Sequence, residues 1–89
     1  MTELNLSETS VVDLTPLSEM LTLEKLDLSS SRVSDLTALS ALRLKRLEFK
    51  HCPVSDLNPI RKMPLENLNL YGTRVADLSP LIGMPIKSI

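Results

Sequence analysis

Residues 65–85 read LENLNLYGTRVADLSPLIGMP, with apolar side chains at offsets 1, 4, 6, 11, 14, 17 and 20. The same register recurs throughout the chain. With Met1, Leu23, Leu44, Leu65 and Ile86 at position 1, position 4 is Leu4, Leu26, Leu47, Leu68 and Ile89. Position 6 is Leu6, Leu28, Phe49 and Leu70; position 11 is valine four times; position 13 is Asp13, Asp35, Asp56 and Asp77. Positions 14, 17 and 20 are aliphatic or Met in every copy. The chain therefore divides into repeats 1–22, 23–43, 44–64 and 65–85, followed by the stub 86–89. The first repeat has one extra residue between Met20 and Leu23. A period of this length is the mark of stacked, nearly identical layers.

Within each unit, positions 3–7 (ELNLS, KLDLS, RLEFK, NLNLY) alternate polar and apolar, which predicts a half-buried strand of about five residues. No second strand in the same unit can pair with it, so each strand pairs with its equivalent in the next repeat. Because all copies run the same way, the sheet is parallel, and the rest of the unit is the crossover that parallel neighbours need. Thr15-Pro16, Asn58-Pro59 and Ser79-Pro80 place an N-cap residue before a proline at the first helical position; Thr37-Ala38 keeps the cap alone. Pro64 and Pro85 then stop the helix within one turn, which predicts 3₁₀ geometry. The four aspartates in register either form a carboxylate ladder for calcium or bond free backbone N–H groups of their own turns. Like charges about 5 Å apart favour the second reading.

Eighty-nine residues make one domain, able to bury about 60% of its unfolded surface. Phe49 and Tyr71 are the only Phe, Tyr or Trp residues, so the core is built of similar-sized aliphatics rather than rings. Net charge is −1, split as −4 over residues 1–43 and +3 over 44–89, which argues against nucleic-acid binding driven by bulk charge. The lone Cys52 excludes an intrachain disulfide or a multi-cysteine metal site. No leader and no apolar run near the ~18 residues of a membrane helix is present, so the chain reads as cytoplasmic and not membrane-bound. His51 beside Cys52 invites a nucleophile reading, but adjacent side chains diverge and no third group orients them. Cys52 at position 9 points into the stack and reads as a small buried residue bonded to backbone. No glycine-rich phosphate loop or nucleophile elbow occurs. No enzyme activity, cofactor or metal is expected.

The core L-x-x-L-x-L, present as LEKLDL, LKRLEF and LENLNL and in a Met-led copy as MTELNL, resembles the leucine-rich repeat family. The continuation V-x-D-L-[ST]-P-L-x-x-M resembles its short bacterial type, similar to internalin repeats and to arrays joined to serine/threonine kinases. Thr9, Ser31, Cys52 and Thr73 stand where the family has asparagine, and no terminal cap is written at either end. The resemblance implies a right-handed α/β solenoid, with a short parallel sheet on the concave side and 3₁₀ or short helical turns on the convex side.

On that fold, positions 3, 5 and 7 line the concave face. The candidate protein-binding residues are Lys25, Asp27, Arg46, Glu48, Lys50, Asn67, Asn69 and Tyr71, with Tyr71 and Arg46 as anchors. Glu3 with Lys25, and Glu48 with Arg46 and Lys50, are placed for ladder salt bridges. The functional expectation is a protein–protein interaction module. A structural spacer within a longer array, or a regulatory segment of a larger kinase-type protein, is the alternative. Uncovered end layers, with Leu68, Leu70, Leu78 and Leu81 on the last, predict end-to-end self-association.

Overall fold

The computed structural model describes residues 2–88; Met1 and Ile89, assigned above to repeat positions 1 and 4, lie outside the described residues. Four strands, β1 (Glu3–Asn5), β2 (Lys25–Asp27), β3 (Arg46–Glu48) and β4 (Asn67–Asn69), form one parallel sheet in sequence order. The register pairs Glu3 with Lys25, Lys25 with Arg46, and Arg46 with Asn67, so each strand meets its equivalent one repeat away. Ser88 adds an isolated parallel bridge to Asn67, beginning a fifth turn of the ladder.

Regular strand covers three residues per repeat rather than about five. Hydrogen bonding nonetheless extends further. At the entry, the Thr2 carbonyl accepts from both Glu24 and Lys25 N–H, and the Glu24 carbonyl from Lys45 and Arg46. At the exit, Leu6 N–H donates to Asp27 O and Glu8 N–H to Ser29 O, a pattern repeated one layer up by Leu28 and Ser30. The strand then ends on a left-handed residue in every repeat: Glu8, Ser30, His51 and Gly72 have φ of 56°, 60°, 62° and 74°. Only one of these is glycine, so the turn is imposed on three side-chain-bearing residues at about 1–2 kcal/mol each. Each of those three donates its own N–H to the next layer, Glu8 to Ser29 O, Ser30 to Lys50 O and His51 to Tyr71 O.

The crossovers contain 3₁₀ turns at Thr15–Leu17, Thr37–Leu39, Asn58–Ile60 and Ser79–Leu81. The expected caps are corrected. The Leu14 carbonyl accepts the first bond, from Leu17 N–H at 2.8 Å, so Thr15 is already inside the turn and the cap position belongs to a leucine with no side-chain acceptor. Asp13 does the capping instead: its Oδ1 accepts from Thr15 N–H at 2.9 Å and from the Thr15 hydroxyl. Asp35, Asp56 and Asp77 likewise accept from the backbone N–H of Thr37, Asn58 and Ser79. The four aspartates are thus satisfied locally, one per turn.

Those bonds hold the carboxylates of Asp13, Asp35 and Asp77 below their ordinary value of 3.8. For Asp13 and Asp35 the larger cause is the threonine hydroxyl; for Asp77 it is the Ser79 backbone N–H. A folded-state value below the unfolded one stabilises the fold above the ordinary value, and that contribution disappears as pH falls through the lowered one. Asp35→Ala is therefore expected to lower the thermal midpoint at neutral pH and to flatten its fall below about pH 4. Thermal unfolding followed by circular dichroism from pH 7 downward checks this, and an unchanged acid limb counts against it.

Between sheet and turns lies a core of stacked aliphatics. Leu26 and Leu47 at position 4, Leu28 and Phe49 at position 6, Val33 and Val54, Leu36 and Leu57, Leu39 and Ile60 are all buried. The terminal layers are looser: Leu4, Leu6, Val11 and Met20 at one end, and Leu70, Val75, Leu81 and Met84 at the other, are half-buried. Leu68 departs from expectation, being buried to 2% because residues 86–88 lie over it. Leu78, at 49% exposure, is the open residue of that end; its equivalents Leu14, Leu36 and Leu57 are buried by the repeat that follows each. The extra residue of repeat one is accommodated by Leu21, which points outward. No helix of the described residues is long and apolar enough to cross a membrane.

Candidate functional site

The alternation Lys25-Leu26-Asp27 sends Leu26 into the core and leaves positions 3 and 5 on the opposite face of the sheet. Lys25 and Arg46 are exposed in column 3, and Asp27 and Glu48 half-exposed in column 5. Asn67 and Asn69 continue the two columns on β4, half-buried, and Tyr71 follows at position 7, 71% exposed. Arg46, Glu48, Asn67, Leu68, Asn69 and Ser88 border an open hollow of about 230 Å³. A smaller one of about 90 Å³ lies across β1, β2 and β3.

Column 5 also serves the backbone. The N–H of position 7 has no partner in the ladder, and a short side-chain acceptor two residues earlier takes it. Asn5, Asp27 and Asn69 accept from Ser7, Ser29 and Tyr71 N–H at 2.8, 2.9 and 3.1 Å. In repeat three the acceptor is Ser29 Oγ of the neighbouring layer, at 3.2 Å from Lys50 N. Glu48 thereby keeps its carboxylate free of this duty. Ser29 pays with its exposure and is buried, so position 7 is not uniformly a surface column. Asn67 is engaged as well, accepting from the Ser88 hydroxyl at 2.6 Å.

The proposed ladder salt bridges do not form. Among the described residues, the ion pairs are Lys45 with Glu24 (4.0 Å) and Lys87 with Glu66 (3.4 Å), both at position 2. That column alternates in sign, Glu24, Lys45, Glu66, Lys87, and the alternation was the available sequence signal. On the sheet face Lys25 is in register with Arg46 and Asp27 with Glu48, like beside like; Glu3 and Lys25 are opposite in sign and in register but make no ion pair.

Tyr71 is held from the side. His51 meets it edge-on, with ring centroids 5.5 Å apart and planes at 84°. A Cβ on Gly72 would lie 2.5 Å from His51 Nδ1, so any side chain here would have to displace the imidazole packed over it. Beneath, Cys52 is buried and its thiol donates to Leu28 O at 3.0 Å, with Ser31 Oγ 3.4 Å from the sulfur. The cysteine is a backbone-bonding residue of the stack, in the place where Thr9 and Thr73 donate to Leu6 O and Leu70 O. Among the described residues, no group of three or more His, Cys, Asp or Glu side chains is arranged to hold a metal ion.

With this geometry the chain superposes on internalin C2 of Listeria monocytogenes at a TM-score of 0.86, with 26% identity over 99% of its length. It is a leucine-rich-repeat solenoid. A second internalin of the same organism, InlF, shares the fold at a TM-score of 0.78 and 20% identity, again over 99% of the chain. The leucine-rich-repeat chain spans 39% and 34% of those two structures. No family model matches the sequence, and no curated relative does. The internalin likeness fits the parallel sheet and the short 3₁₀ turns. It leaves the chemistry of the inner face to the residues of this leucine-rich-repeat chain.

Proposed function

We propose that this solenoid is a protein–protein interaction module whose concave sheet face holds a segment of a partner protein. The carrying observation is Tyr71: an exposed ring held edge-on by His51, two residues beyond Asn69, which borders a polar hollow. An ordered aromatic loses little side-chain entropy on binding, and Tyr and Arg are enriched among residues that dominate interface energies. Arg46 borders the hollow and is the second anchor. Lys25, Asp27, Glu48, Lys50, Asn67 and Asn69 complete the contact surface. The role is binding rather than catalysis.

Tyr71→Ala or Arg46→Ala is expected to weaken capture of the partner by about 2 kcal/mol, roughly 30-fold. Lys62→Ala, on the convex side, is the control. The check is quantitative pull-down with immobilised chain, followed by titration of the captured protein against each variant. Equal capture by all variants sinks the reading.

The alternative is a spacer stretch or a regulatory segment beside a kinase-type domain. Separately, the apolar layer of Leu70, Val75, Leu78 and Leu81 is partly open. The same surface supports end-to-end self-association of this chain, seen as a sedimentation coefficient that rises with concentration; a constant monomer value argues against it.

A further inference from the structure

The sheet face carries an arrangement of charge that folding alone does not favour. Lys25 stands directly beside Arg46, and Asp27 directly beside Glu48, in the register of β2 and β3. Neighbouring strands are about 4.8 Å apart, so each pair sets two like charges side by side, a destabilising placement. None of the four makes an ion pair with another, although Arg46 and Lys25 lie only two residues from Glu48 and Asp27 along their strands. At position 2 the same chain alternates its signs from layer to layer and does pair them. The face therefore presents a row of two cations, with Glu3 beside Lys25 on its outer side, and a parallel row of two carboxylates, and no ion pair forms among them.

Resting on the concave-face reading above, we infer that this face selects an extended peptide segment of the pattern acidic-x-basic, lying along β2 and β3. Position 3 and position 5 of a strand are about 6.6–6.8 Å apart, and so are residues i and i+2 of an extended ligand. Both ligand side chains then point at the sheet. The acidic one sits between Lys25 and Arg46, and the basic one between Asp27 and Glu48. Each incoming charge separates a like-charged pair, so binding relieves the repulsion that the free chain carries. A uniformly acidic or basic segment satisfies one row and is repelled by the other. Glu48 is suited to its part because Lys50 N–H draws on Ser29 rather than on the Glu48 carboxylate. Asp27 keeps Oδ2 for the ligand while Oδ1 holds Ser29 N–H.

The test is an NMR titration of the ¹⁵N-labelled chain with three capped peptides: Ser-Thr-Glu-Thr-Lys-Thr-Ser, and the versions with Glu or Lys at both charged places. The mixed peptide is expected to bind about 10-fold more tightly than either control, with amide shifts centred on β2 and β3, and to lose most of that margin at about 0.5 M NaCl. Equal affinities, or shifts centred elsewhere, overturn the inference. The double variant Arg46→Gln, Glu48→Gln is expected to erase the preference with a thermal midpoint unchanged or raised. A lowered midpoint shows that these charges serve the fold and overturns it equally. Should Tyr71→Ala abolish protein capture while the three peptides bind alike, the concave-face reading stands and the charge-pattern inference falls; a peptide preference without any Tyr71 effect supports the inference and removes Tyr71 as the anchor of the reading.

Discussion

Phe49→Ala is expected to lower the unfolding free energy by about 3–5 kcal/mol, leaving little of the stability an 89-residue chain ordinarily has. Phe49 has no exposed surface and occupies position 6 of repeat three, packed between the layers of Leu28 and Leu70. Removing the ring opens a cavity that two flanking layers cannot close without breaking the ladder, because Phe49 N–H is bonded to Asn69 O and Leu28 N–H to Glu48 O. Phe49→Leu, which installs the residue found at the same position elsewhere, is expected to cost under about 1.5 kcal/mol. Urea unfolding followed by circular dichroism measures both. An alanine variant within 1 kcal/mol of the parent, on the order of a surface change, contradicts this packing.

The second large effect is a contrast between identical substitutions. Leu6, Leu28 and Leu70 share position 6, yet Leu28 is fully buried while Leu6 and Leu70 are half-buried in the end layers. Leu28→Ala is expected to cost about 2–5 kcal/mol, and Leu6→Ala and Leu70→Ala less than about half as much, since the area lost from burial is smaller. The three variants unfolded side by side decide it. Equal losses mean that the end layers are covered in solution, which is also what end-to-end association produces. Repeating the measurement at a lower chain concentration separates these cases, because an association-dependent loss changes with dilution.

The inner face was legible in part. Alternation at positions 3–5 placed Lys25, Asp27, Arg46, Glu48, Asn67 and Asn69 on one side of the sheet, as the register shows. Their bonding was not legible. Asp27 and Asn69 are partly occupied with position-7 backbone, Asn67 with Ser88, and the salt bridges lie at position 2 instead. The His51 edge that holds Tyr71 joins residues of different repeats and was missed for that reason.

The amino-acid sequence by itself determined the parallel pairing, the pairing register and the single-turn crossover. These follow from local alternation, from proline placement and from a period that repeats without interruption, so no information beyond the chain's own copies is needed. The aspartate bonds to the turn N–H groups span only two residues and were legible too, although the cap itself had been assigned to Thr15, Asn58 and Ser79. Tertiary structure alone decided the left-handed residue at position 8 and the unequal burial of identical leucines. Each of these depends on which backbone groups and which layer lie across the stack, about 5 Å away in space but a whole repeat away along the chain.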